Sequence, residues 1–141
     1  MTAVATFLSA PRVGDVLPKR VHGPITRTKL ALYAGASHDH NPIHIDIDVV
    51  RSAGMEDVFA HGMLSMAYLS QLLTKWAPQD ALREWSVRFT AITPVNAEVH
   101  TGGEVIELIE RNGEECARVR IWARTDKGVT TLEGEAIVAV G

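Results

Sequence analysis

The spacing of apolar residues changes about halfway along the chain. From Trp85 onward it has a period of two. Trp85, Val87 and Phe89 alternate with Ser86, Arg88 and Thr90, the pattern of a half-buried strand. The same alternation predicts strands over 99–109, 115–124 and 129–140. Asn112-Gly113 and Asp126-Lys127-Gly128 lie between them as hairpin turns. Upstream the spacing is helical. Met63, Leu64, Met66, Ala67, Leu69, Leu72, Leu73 and Trp76 surround most of one helix, too short to cross a membrane and closed by Pro78. Such a helix is expected to be the buried centre of the domain.

Ahead of that helix the chain is more broken. Val13-Gly14-Asp15-Val16-Leu17-Pro18 reads as a turn and an extended entry, and 21–25 as a short strand interrupted by Gly23-Pro24. Thr26 is a plausible N-cap for a helix to about Ala36, with Leu30, Tyr33 and Ala34 on one face. Pro42 prevents that helix from continuing and draws Asn41 towards extended geometry, so 37–44 should form a fixed loop. Asp46 can cap a short second helix, with Asp48 in its first turn and Gly54 just past its end. Several antiparallel strands after one apolar helix give an α+β domain, a sheet curled around residues 62–76.

With 141 residues, this is one domain spanning 1–141. The net charge of -3 leaves no basic footprint, which argues against nucleic acid as a partner. The single cysteine, Cys116, cannot close an internal disulfide and suits a reducing compartment; it reads as structural. Residues 1–10 lack a basic leader region, and no apolar run reaches the length of a membrane span, so a cytoplasmic protein is expected.

Candidate chemistry gathers on the proline-stiffened loop. Asp39 and His44 lie five residues apart, and a carboxylate and an imidazole so placed can hold one water between them and move its protons. The spacing alone is short and common, and Asp39 capping a turn beside a surface His44 would explain it equally well. Gly62 opens the central helix, where amides lack intrahelical partners and the helix dipole is positive. An N–H there can stabilise an oxyanion, although a glycine that merely turns the chain is the simpler account. His38, Asp39, His40, His44, Asp46 and Asp48 invite a metal reading, but consecutive residues diverge and no recognised ligand motif is present. No metal or cofactor is expected. His61 is expected to pack in the core or bond a backbone group.

Taken together, Tyr33-Ala34-Gly35-Ala36-Ser37-His38-Asp39-His40-Asn41-Pro42-Ile43-His44 resembles the signature of the MaoC-like hydratase family, or hydratase 2. Ala60-His61-Gly62-Met63-Leu64 is similar to that family's entry into the central helix of a hot-dog fold. Residues 87–95 resemble the strand that follows. The resemblance implies a hot-dog domain that pairs as a homodimer or higher oligomer, with a heterodimer as an alternative. It implies a substrate that is an acyl thioester of CoA or acyl carrier protein (ACP). It assigns catalysis to Asp39 and His44, the oxyanion amide to Gly62, loop support to Asn41 and, less firmly, a substrate contact to Ser70. His38 stands where the signature commonly has glycine.

The implied reaction is reversible hydration of a trans-2-enoyl thioester to the (R)-3-hydroxyacyl thioester. Three alternatives stay open: the catalytic subunit of a heteromeric 3-hydroxyacyl-ACP dehydratase, a non-catalytic thioester-binding module, and a hot-dog thioesterase. Acyl chain length, branching and the working direction are not legible in the residues.

Overall fold

The computed structural model describes residues 10–140. Nearly all of the segment read as free of a leader, residues 1–9, lies outside the described residues. Five strands form one antiparallel sheet: β1 (Arg20–His22), β2 (Leu82–Phe89), β3 (Val99–Arg111), β4 (Glu114–Thr125) and β5 (Thr130–Ala139), in the order β1-β3-β4-β5-β2. Three helices precede β2: α1 (Arg27–Ser37), α2 (Ile47–Ser52) and α3 (Gly62–Trp76).

The hairpin chemistry explains the sheet's order. Asn112 and Gly113 both take positive φ, 52° and 76°, and return β3 onto β4 with Arg111 opposite Glu114. Gly128, at φ 80°, performs the turn from β4 into β5. Along β4 the alternation is nearly complete. Val119, Ile121 and Ala123 are buried, while Arg120 and Arg124 face outward on either side of Trp122. Cys116 is buried, and burial pushes its thiol pKa up, as befits an inert packing residue.

The helix α3 lies across the inner face of the sheet, the arrangement of a hot-dog domain. Leu64, Leu69, Leu72, Leu73 and Trp76 enter the same core cluster as Val99, Val105, Val119, Ile121, Leu132 and Val138. The expectation that α3 is buried all round needs correcting. Met63 is 55% exposed, Ala67 is exposed, and Met66 and Tyr68 are half-buried. A single five-stranded layer covers one side of a helix, and the short α1 and α2 cannot close the rest. Phe89 likewise departs from the period-two expectation and stands 54% exposed at the end of β2. Among the described residues that strand pairs only with β5, which leaves its outer edge without a partner there.

Candidate active site

The loop between α1 and α2 is built from local hydrogen bonds that the sequence supplies. Thr26 caps α1 by accepting from Lys29 N–H at 3.1 Å. At the other end His38 takes the left-handed conformation, φ 59° and ψ 20°, which turns the chain out of the helix. This is the position where the family signature has glycine, the residue that adopts that conformation without steric cost. The Ser37 hydroxyl donates to Tyr33 C=O and accepts from Asp39 N–H, and Asn41 N–H donates to Asp39 Oδ1 at 3.3 Å. The Asn41 side chain then caps the tight turn Pro42–His44 by accepting from Ile43 N–H. Asp46 caps α2 through Asp48 and Val49 N–H, as expected.

This scaffold turns His44 inward, leaving it 7% exposed, while the Asp39 side chain remains about half exposed. His44 Nδ1 lies 2.8 Å from Phe59 C=O. A carbonyl can only accept, so Nδ1 carries the proton and neutral His44 presents a bare lone pair at Nε2. That lone pair faces Asp39 Oδ2 at 3.9 Å. Two acceptors at this separation have no direct bond to make. A water that gave one hydrogen to each would satisfy both and keep its own lone pairs free.

His61, the N-cap of α3, fixes the site from below. It is 1% exposed, its Nε2–H donates to Asp39 C=O at 3.1 Å, and its ring stacks on His44 with centroids 4.0 Å apart. Tyr33 meets its edge, and burial lowers its pKa, with the nearby His44 acting in the same direction. Its Nδ1 is buried with no partner among the described residues. The anticipated backbone bond is therefore present, and it reaches the main chain of Asp39.

Gly62 follows directly. The first turn of α3 contains no acidic residue and His61 makes no side-chain cap, so the leading amides point out of the helix uncapped. A Cβ at Gly62 would lie 2.8 Å from the Phe89 ring, so a larger residue there would have to push that ring aside. Gly62 also lines a cavity of about 370 Å³ that runs under Phe59, Phe89 and Ile92. Asp39 and His44 are not among its lining residues; His61, stacked on His44 and bonded to Gly62, joins the two halves.

Ser70 stands apart from this cavity. It lies two turns beyond Gly62, about 12 Å of helix rise, and its hydroxyl donates to Ala67 C=O at 2.6 Å. Ser65 lines the cavity in its place, 1% exposed. The spacing Gly62-x-x-Ser65, one turn on the same helix face, could have revealed it. His38 and His40 are exposed on the loop, as expected. Asp39, His44 and His61 each offer a metal-capable atom within 4.8 Å of the others. Their present geometry suits an ion poorly. The 3.9 Å between His44 and Asp39 exceeds the roughly 3.3 Å that tetrahedral ligation at about 2.0 Å imposes.

Comparison with known proteins agrees with this geometry. The family model described as MaoC like domain matches residues 9–126. The (R)-specific enoyl-CoA hydratase of Aeromonas caviae is 30% identical over 112 residues, 78% of this chain and 82% of that protein. The solved structure of the A. caviae (R)-hydratase involved in PHA biosynthesis matches with a TM-score of 0.81 at 26% identity, over 94% of this chain and 99% of that one. The mitochondrial 3-hydroxyacyl-(acyl-carrier-protein) dehydratase of Arabidopsis thaliana is 30% identical over 99 residues, 70% of this chain and 55% of that protein. The chain thus spans only about half the length of that relative. With both motifs in place on a sheet that cradles its central helix, the chain belongs to the MaoC-like domain family and has its hot-dog fold.

Proposed function

We propose that the protein adds water reversibly to a trans-2-enoyl thioester of CoA or acyl carrier protein, giving the (R)-3-hydroxyacyl thioester. The observation that carries this reading is the pair of facing acceptors, Asp39 Oδ2 and His44 Nε2, 3.9 Å apart. In the hydration direction the thioester carbonyl accepts a hydrogen bond from Gly62 N–H. Asp39 takes a proton from the water held between it and His44, and the water oxygen bonds to C3. Electrons of the C2–C3 double bond move towards the carbonyl oxygen, and the amide stabilises the developing charge. The pair returns a proton to C2 through His44, so the site ends as it began and the product gains one water. Such an amide contributes about 3 kcal/mol, and general acid–base transfer typically a further hundredfold or more.

The relatives named as (R)-specific enoyl-CoA hydratases and as a 3-hydroxyacyl-ACP dehydratase support the reaction class. The test is loss of the conjugated enoyl absorbance with crotonyl-CoA, octenoyl-CoA and a bulkier enoyl-CoA. Loss that disappears in Asp39→Asn supports the assignment; an equal rate in that variant removes Asp39 from the mechanism. Release of free thiol would instead indicate a thioesterase.

A second reading concerns assembly. Asp39 is half exposed, Phe89 at the cavity's edge is 54% exposed, and the outer edge of β2 is unpaired among the described residues. These features favour a site completed by a second chain, a further copy of this one or a related subunit. Activity that appears only when a companion subunit is added would identify this chain as the catalytic member of a heteromer.

A further inference from the structure

The cavity that begins at Gly62 has apolar walls from Phe59, Phe89, Ile92 and Leu132, yet beside the exposed Thr90, whose hydroxyl already donates to Thr130 C=O, three buried hydroxyls line it: Ser65, Thr93 and Thr131. They come from α3, from the segment after β2 and from β5, and they are 1%, 5% and 2% exposed. Their hydrogen bonding is thin. Ser65 Oγ and Thr93 Oγ1 meet at 3.4 Å, near the limit for hydroxyls, and Thr131 donates to Ala123 C=O at 3.3 Å. Among the described residues the Ser65–Thr93 pair therefore has one hydroxyl proton and several lone pairs unused, and Thr131 retains both of its lone pairs.

A plain hydrocarbon tail in this space would seal those groups from water and give nothing in return. A tail carrying an oxygen would complete their bonding. A pocket built to bond a substrate oxygen rejects the analogue lacking it far more strongly than an apolar pocket rejects an added hydroxyl. Among the lining residues none is cationic, so the group that fits is neutral rather than a carboxylate. Ser65 lies one turn, about 4.5 Å of rise, beyond the Gly62 amide that holds the thioester carbonyl, roughly three or four carbon–carbon bonds along an extended chain.

Resting on the hydratase reading, we propose that the substrate is an acyl thioester bearing a neutral oxygen, hydroxyl or ketone, at C4 or C5, recognised by Ser65, Thr93 and Thr131. The test measures binding of saturated, unreactive thioesters to the full chain by calorimetry. Hexanoyl-, 4-methoxyhexanoyl-, 4-oxohexanoyl- and 5-oxohexanoyl-pantetheine share the handle common to CoA and carrier protein, and none carries a free hydroxyl that could close to a lactone and expel the thiol. At least one oxygenated ligand should bind about tenfold or more tighter than hexanoyl. The isosteric Thr93→Val and the smaller Ser65→Ala should each erase most of that preference and leave hexanoyl binding unchanged or improved. Thr93→Ser, which keeps the hydroxyl, should retain it. Equal or tighter binding of hexanoyl, or variants that weaken all four ligands alike, overturns the proposal. The corresponding 2-enoyl thioesters, followed by absorbance, separate the two readings. Hydration without any oxygen preference refutes only the pocket assignment, and oxygen-selective binding without hydration refutes only the hydratase.

Discussion

Replacing His61 with phenylalanine separates the site's positioning from its stability. The wild-type ring makes one polar bond, Nε2–H to Asp39 C=O at 3.1 Å, and buries a second nitrogen, Nδ1, with no partner among the described residues. Phenylalanine keeps an aromatic face against His44 and an edge for Tyr33. It removes the donor from Asp39, which costs about 1–3 kcal/mol if the carbonyl stays dry, and it also removes the unsatisfied Nδ1, whose burial costs a similar amount. The two changes nearly cancel, so thermal unfolding should move by less than roughly 4 °C. Activity does not share in the cancellation. The tether sets where the Asp39 backbone sits, and a displacement of about 1 Å at a catalytic group can cost a hundredfold. The variant should therefore lose about 10- to 100-fold in kcat with KM little changed, because Asp39 touches the attacking water and not the thioester handle. Steady-state kinetics beside a melting curve check this. Wild-type kcat at an unchanged melting temperature would refute the tether.

Three further outcomes follow from the same structure. Burial holds His61 and His22 below the ordinary histidine value of about 6.5, so under that pH the unfolded chain binds protons that the native one does not. Stability should hold above about pH 6.5 and fall beneath it, by up to about 1.4 kcal/mol per pH unit for each group; urea midpoints should show this, and His61→Phe should lessen the slope. Proline is tolerated at the first position of a helix, and His61, at φ -56° and ψ 129°, already has the geometry that precedes proline. Gly62→Pro in a Phe89→Ala background, which clears the ring above it, should thus leave the fold intact and remove the oxyanion N–H, cutting kcat about 100-fold or more relative to Phe89→Ala alone; equal rates would exclude that amide. His38→Gly relieves a left-handed residue at a cost in unfolded-chain entropy, so it should stabilise by up to about 1 kcal/mol in urea titration with activity unchanged.

Local chemistry made much of this molecule legible in its sequence. Thr26, Asp46 and Gly54 mark helix ends because capping is decided within a few residues, and Asn112-Gly113 marks a hairpin for the same reason. The loop from Ser37 to His44 was readable because its hydrogen bonds span two to four residues. What escaped depends on distant segments. His61 reaches Asp39 across 22 positions and Ser65 reaches Thr93 across 28, and no periodicity encodes such meetings. The exposure of Met63 and Phe89 escaped for a related reason. Apolar spacing records what a face can bury, and among the described residues one five-stranded layer leaves part of it uncovered.

The central claim is that a water held between Asp39 and His44 is added to C3 of an enoyl thioester. Turnover of an enoyl-pantetheine thioester in heavy-oxygen water, read by mass spectrometry of the product, tests it most directly. The account predicts an intact thioester carrying the heavy oxygen at C3, formed by the wild-type chain and lost by orders of magnitude in Asp39→Asn. Heavy oxygen found instead in a free carboxylate, or at C3 to the same extent in Asp39→Asn, would contradict it.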